Sequence, residues 1–185
     1  MLFRSVTLVA SDERINKYRH PLPAMKEVEH YAMLVLCAKW RGLIASMTRF
    51  VAFDKLPAAL EKKNQAVANI DATFILNTCP GASAGDIFAR AVEVYEATGY
   101  AEEWKLHHQG GACGYAGRDW KATPGCDFKV LPNQAYAWNP SITGTKSEDT
   151  IITGPTPDSK PIVITATPEL PTVKVETPWG SLERP

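Results

Sequence analysis

The sequence holds no cluster of cysteines, no block of like charge and no long apolar run, and each absence removes a class of protein. Its four cysteines, Cys37, Cys79, Cys113 and Cys126, are widely spaced with no C-x-x-C pair. That argues against a zinc ribbon and against a small disulfide-stapled scaffold, and makes free thiols in a reducing cytoplasm the expectation. Twenty basic residues balance twenty acidic ones without a long run of Lys or Arg, so neither a nucleic-acid partner nor an anionic membrane surface is expected. The stretch MLFRSVTLVASDER breaks its apolar runs at Arg4 and Ser5, too early for a signal-peptide core or a membrane span. Acidic residues are sparse in the strand-like segments, leaving few carboxylates to converge on a metal. No internal repeat or low-complexity tract stands out.

What is present suffices for a core. With 45% hydrophobic residues in 185, the chain fits one domain, or one and a long tail. Phe3 to Ala10 reads as a strand, and Asn16 to Pro23 as a loop whose two prolines hold the backbone extended around His20. The apolar run Met33-Leu34-Val35-Leu36-Cys37 reads as a doubly covered strand, with Leu43 to Phe53 its antiparallel partner beyond a turn at Gly42. From Leu56 to Asn77 the spacing turns helical, placing Leu60, Val67, Ile70 and Phe74 on one face. Pro80-Gly81 stops that helix; Ser83 and Asp86 read as N-cap and capping box of a second, Ala84 to Thr98, closed by Gly99. Gly81-Ala82-Ser83-Ala84-Gly85 also matches the G-x-S-x-G nucleophile elbow, but that elbow follows a strand and here a helix and Pro80 precede it, so the cap is preferred. Phe128 to Leu131, Gln134 to Asn139 and Thr150 to Thr153 are short β-rich segments with the rhythm of an antiparallel meander. Ten of the fourteen prolines follow residue 121, and from Pro155 the chain reads as an edge strand plus an extended tail.

Chemistry concentrates in Leu106 to Trp120, LHHQGGACGYAGRDW, which packs two histidines, four glycines, a cysteine and an Arg-Asp pair into fifteen residues. Such a mixture makes poor helix and poor core, and is more plausibly kept for a site. His107 and His108 read either as loop histidines satisfied by backbone or as a site; neighbours pointing opposite ways on a strand would turn one of them toward it. Gly110-Gly111 lacks the strand-to-helix context of a phosphate loop. Arg49, in an otherwise apolar segment, reads as a snorkelling edge residue or a ligand clamp. Glu148-Asp149 reads as a solvated turn pair or as carboxylates facing a cavity.

Taken in order, RHPLP at 19–23, GLIASMTR at 42–49, the helical hairpin with its Pro-Gly junction, HHQGGACG at 107–114, AWNPSITGTKSEDT at 137–150 and the closing PWG resemble the creatinase, prolidase and methionine aminopeptidase superfamily. The resemblance implies an α+β pita-bread fold, a curved antiparallel sheet covered by helices. Residues 1–154 would be a partial, N-terminally truncated domain and residues 155–185 a proline-rich edge strand and tail. In that family two metal ions held by two Asp, one His and two Glu activate a bridging water. By position these ligands fall on Val35, Ser46, Gly111, Asn139 and Glu148, so only Glu148 is kept and a standard dinuclear centre is not expected.

The resemblance also implies roles for residues that persist. His20 matches a substrate-contacting histidine, which creatinase, a metal-free member, uses as its base. His107 and Arg49 also persist, and Arg118-Asp119 replaces a second histidine and its acidic neighbour. The expected catalytic set is therefore His20, His107 and Glu148, with His108, Arg118, Asp119 and Arg49 binding a small amino-acid-derived or peptide ligand. Three readings follow: a metal-independent hydrolase of a small C–N bonded substrate; a non-catalytic module that binds a ligand or partner; or an active proline-directed metallopeptidase holding Mn, Co or Zn through His107, His108 and Glu148. No cofactor is expected outside the third. An uncovered sheet face would predict a homodimer or a partner chain replacing the missing N-terminal part.

Overall fold

Strands β1 (Phe3–Ser11), β2 (Tyr31–Trp40) and β3 (Leu43–Ala52) form an antiparallel sheet in that order. The computed structural model describes residues 3–185, with side chains from Val6 onward, so Met1, Leu2 and the side chains of Phe3, Arg4 and Ser5 lie outside the described residues. Arg41 and Gly42 join β2 to β3 with φ of 50° and 90°, the type I′ geometry whose twist matches the strands it connects. Its register sets Val35 opposite Thr48 and Cys37 opposite Ser46. Leu8, Ala10, Met33 and Val35 bury one face of the sheet against Ile15.

Ile15 belongs to a short helix, α1 (Glu13–Lys17), at the start of the expected loop. Glu13 in its first turn and Lys17 in its last complement the helix dipole, and burial of Ile15 ties it to the sheet. The buried Asp12 carboxylate accepts the backbone N–H groups of Glu29, His30 and Tyr31. The loop from Tyr18 to His30 is thus closed at its base.

The helical hairpin is α2 (Ala58–Asn77) and α3 (Ala84–Ala97). Ser83 occupies the N-cap position of α3 without a capping side-chain bond, and Gly99, at φ 87°, ends the hairpin in the left-handed conformation that favours glycine. Both helices pack on a second antiparallel sheet, β4 (Gly110–Cys113), β5 (Ala135–Trp138), β8 (Asp149–Ile152) and β9 (Ile162–Val163), in that order. Between β5 and β8 lies a small hairpin, β6 (Ser141–Ile142) and β7 (Thr145–Lys146). Phe74 stacks on Trp138 at 4.6 Å between centroids, and the Trp138 indole donates to Thr78 Oγ1 at 2.9 Å. Full burial of aromatic side chains of this size stabilises by about 1.5–3 kcal/mol each. Of the β-rich segments expected after residue 121, Phe128 to Leu131 forms only a single bridge, Lys129 to Ser83.

From Pro155 the chain supplies the expected edge strand, β9, and then a hairpin where the sequence suggests a tail: β10 (Val173–Thr177) and β11 (Gly180–Arg184). Val175 and Leu182 of this hairpin pack on Ala68 and Ala72, which buries the second face of α2. Consequently Asp71, Thr73 and Asn77 are buried as well as the apolar stripe. Arg184 reaches into that layer and bridges Asp71 and Asp149. The two main sheets meet where the Thr48 N–H donates to Glu148 O at 3.0 Å.

Candidate functional site

Three of the four histidines converge although one lies 87 residues from its partner. His20 is carried by the loop after α1, which is tied to the sheet by the Val9 N–H donating to Pro21 O at 3.1 Å. Its neighbour Arg19 donates to Ser141 Oγ at 2.9 Å and pairs with Glu103 at 2.5 Å, clamping the loop over β6. On the other side the buried Gln109 amide donates to His107 O at 2.7 Å, and its oxygen lies 2.8 Å from the Tyr95 hydroxyl. His20 Nε2 and His107 Nε2 are therefore held 3.1 Å apart. The His107 and His108 rings stack at 4.5 Å and 23°. They precede β4 rather than lying in it, so the alternation of a strand does not apply and both rings turn to the same side.

Burial, with Lys146 beside it, pushes His107 down to about 3. Burial and then Arg118 push His108 down to about 4, and His20 is lowered by burial and Lys146. All three imidazoles are neutral at physiological pH. The Nδ1 atoms of His107 and His108 are buried with no protein partner.

Beneath the histidines lies an ion cluster around Glu148. One carboxylate oxygen accepts from Lys146 Nζ at 2.8 Å and Thr48 Oγ1 at 2.7 Å, and the other pairs with Arg118 at 3.1 Å. Burial raises the Glu148 pKa, but Lys146 and Arg118 outweigh it and hold the group at about 2. Arg118 also approaches Ser46 Oγ at 3.5 Å and donates to Gly117 O at 2.6 Å. Lys146 was not singled out in the sequence. The available signal is a lysine among small residues next to Glu148, where a buried ammonium needs a carboxylate. Arg19 was missed for want of any local cue; its partners lie 84 and more residues away.

Other expected binders are placed elsewhere. Arg49 spends its five N–H groups on Thr167 Oγ1, Thr48 O, Glu148 O, Asp149 Oδ1 and Thr165 O. No donor is left for a ligand, so it is a buried tie between β3 and β8 rather than a clamp. Asp119 is exposed, and among the described residues it forms no ion pair. Three clefts flank the centre, and neither His20 nor Glu148 lines any of them. One of about 420 Å³ is lined by His107, His108, Trp104, Lys105 and Lys121. Another of about 390 Å³ lies beyond Thr48 and Lys146, between Phe50, Val67 and Leu170.

No protein-family model matches the chain, and no curated protein matches it. Solved structures do. A dipeptidase from Pyrococcus horikoshii OT3 superposes with a TM-score of 0.75 at 22% identity over 87% of this chain and 46% of its own. The prolidase from Pyrococcus furiosus gives 0.76 at 17% over 87% and 49%. The N-terminal domain of the FACT complex subunit SPT16 from Cicer arietinum gives 0.70 at 15% over 89% and 43%. The fold is the pita-bread fold of the prolidases. The chain spans about half the length of these structures.

The residues at the pita-bread metal positions do not fit a dinuclear centre. Val35 is buried and apolar, and Ser46 donates its hydroxyl to Cys37 Sγ at 3.1 Å. At Gly111 a Cβ would sit 2.2 Å from Trp120 O, so backbone fills the space a histidine needs. Asn139 offers one buried oxygen without a partner, and both oxygens of Glu148 are taken. Two dications facing Lys146 and Arg118 would lack the negative charge that offsets them.

Proposed function

We propose that this chain is a prolidase-fold module whose peptidase centre is closed by ion pairs, and that it binds a ligand or partner rather than cleaving Xaa-Pro bonds. The observation that carries this reading is the Glu148 carboxylate, enclosed by Lys146, Arg118 and Thr48 where the family holds metal. A metal-independent hydrolase with His20 or His107 as base is less well supported. An imidazole held at about 3 is a weak base at neutral pH, and none of the three clefts described above brings His20, His107 and Glu148 together. One neighbour is named as a subunit of a complex and two as peptidases, so the fold itself is compatible with either role.

The cleft beside His107 and His108 carries Lys105 and Lys121 next to Trp104, which suits a small amino-acid-derived or peptide ligand bearing a carboxylate. On the outer face of the first sheet Leu34, Trp40, Leu43 and Val51 are exposed at 43%, 51%, 52% and 36%. A second copy or a partner chain would cover them. The four free thiols fit a reducing cytoplasm.

The test is to incubate the protein with Mn²⁺, Co²⁺ or Zn²⁺ and Xaa-Pro dipeptides, measuring bound metal and product. The reading expects no turnover and no second equivalent of metal; two equivalents with cleavage would overturn it. Light scattering of the wild type and of Leu34→Glu checks the face. A monomeric wild type that captures no partner would remove the covering-chain proposal.

A further inference from the structure

We propose that His20, His107 and His108 form a site for a single transition-metal ion of the zinc class, separate from the dinuclear centre the fold carries elsewhere. None of the three coincides with Val35, Ser46, Gly111, Asn139 or Glu148. One ring nitrogen from each lies within 4.8 Å of those from the other two. Tetrahedral zinc with Zn–N of about 2.0–2.1 Å separates its nitrogen ligands by about 3.3 Å. The His20 and His107 Nε2 atoms, 3.1 Å apart, already have that spacing. The third nitrogen lies within 4.8 Å of the other two and has to move closer for all three to hold one ion.

Two further observations point to a ligand there. His107 is buried to nine-tenths, its Nε2 turned toward His20, and the buried Nδ1 of His108 meets no protein acceptor or donor and is free to serve as the third ligand. A buried imidazole nitrogen without a partner is unusual unless water or a metal takes it. In addition, His107 and His108 line the cleft of about 420 Å³, so three protein nitrogens would leave a fourth position open to solvent or to a ligand.

The surrounding charge sets the character of the site. Lys146, Lys121 and Arg118 face the histidines, with Glu148 opposed to them. Burial first, and these cations after it, keep the imidazoles unprotonated and their lone pairs available without proton release. They also repel a dication, but Lys146 and Arg118 are already paired with Glu148. Strongly nitrogen-preferring ions, Zn²⁺, Ni²⁺ and Cu²⁺, are favoured over Mg²⁺ or Ca²⁺, which prefer oxygen.

The experiment is a titration of the untagged chain with Zn²⁺ against a chromophoric chelator, repeated with Co²⁺ for its visible spectrum. One equivalent is expected. His20→Ala, on an exposed loop and so not needed for folding, should weaken binding by at least about 10–100-fold, as should His107→Ala and His108→Ala with circular dichroism confirming their fold. His30→Ala, the remaining histidine, should leave affinity unchanged. Absence of saturable binding, or one equivalent whose affinity survives His20→Ala, would overturn the proposal. Two equivalents accompanied by Xaa-Pro cleavage would instead overturn the proposed function.

Discussion

Acidification should destabilise this protein well before its carboxylates titrate, and the histidine cluster sets the amount. His107 has a folded-state value of about 3 against an ordinary 6.5. Between these values the unfolded chain binds a proton that the native state refuses, so stability falls as pH drops below about 6.5 and levels near 3. Integrating that difference for one group from pH 7 to pH 5 gives about 2 kcal/mol. His108, held at about 4, is more exposed; discounted for solvent screening it adds about 1 kcal/mol. Exposed His30 works in the opposite direction, since its hydrogen bond to Asp54 raises its value. The assay is urea unfolding followed by circular dichroism at pH 7, 6 and 5, for the wild type and for His107→Gln, which cannot titrate. The wild type should lose about 3 kcal/mol over that range and the variant about 1 kcal/mol. Equal stability at pH 7 and pH 5, or an unchanged pH slope in the variant, would refute the burial argument.

Two other outcomes follow from the packing. Arg184→Leu removes the cation paired with Asp71, leaving it only the Ser147 hydroxyl, and one partner of Asp149, and leaving a buried charge unpaired costs about 3–5 kcal/mol. At about 2–4 °C per kcal/mol for a chain of this size, the thermal midpoint should fall by about 10 °C, and a fall under about 2 °C would show that the C-terminal hairpin is not latched. Gly111→His restores one family ligand in name only: its Cβ meets Trp120 O at 2.2 Å and Lys121 Cα at 3.1 Å, so an overpacking cost of about 3 kcal/mol with no gain in bound Mn²⁺ is expected in denaturation and metal titration.

The elements nearest in sequence were the most legible. The two helices, the β2–β3 hairpin and β5 announce themselves through apolar spacing and turn residues that act over a few positions. The hairpin β10–β11 was lost because prolines at 155, 157, 161, 168, 171 and 178 suggest a tail. What makes it structure is distant: Val175 against α2, and Arg184 against Asp71, 113 residues away. Arg49 shows the same limit. An arginine in an apolar strand reads as a clamp or an edge residue until the acceptors that surround it, from Thr48 to Thr167, are known. The convergence of His20 with His107 was accessible only through the family order of motifs, since no local pattern links residues so far apart.

The residues at the positions where the family is expected to hold metal make physical sense as a set. In the family, four carboxylates and a histidine balance two dications. Here three of those carboxylates are gone, and Lys146 and Arg118 bring two single charges to the one that stays. Removing the carboxylates while keeping the metals would strand positive charge in a buried layer; removing the metals while keeping the carboxylates would strand negative charge. Replacing both together avoids either penalty, and it leaves Glu148 ionised at about 2 without any metal. A family-like centre is therefore hard to build here one residue at a time. Glu148→Gln would leave two buried cations facing an amide, and a carboxylate at Ser46 would compete with Glu148 for Arg118, 3.5 Å from the Ser46 hydroxyl. The chemistry still open at this centre lies above the ion pairs, with the three histidines, none of which stands at a family ligand position.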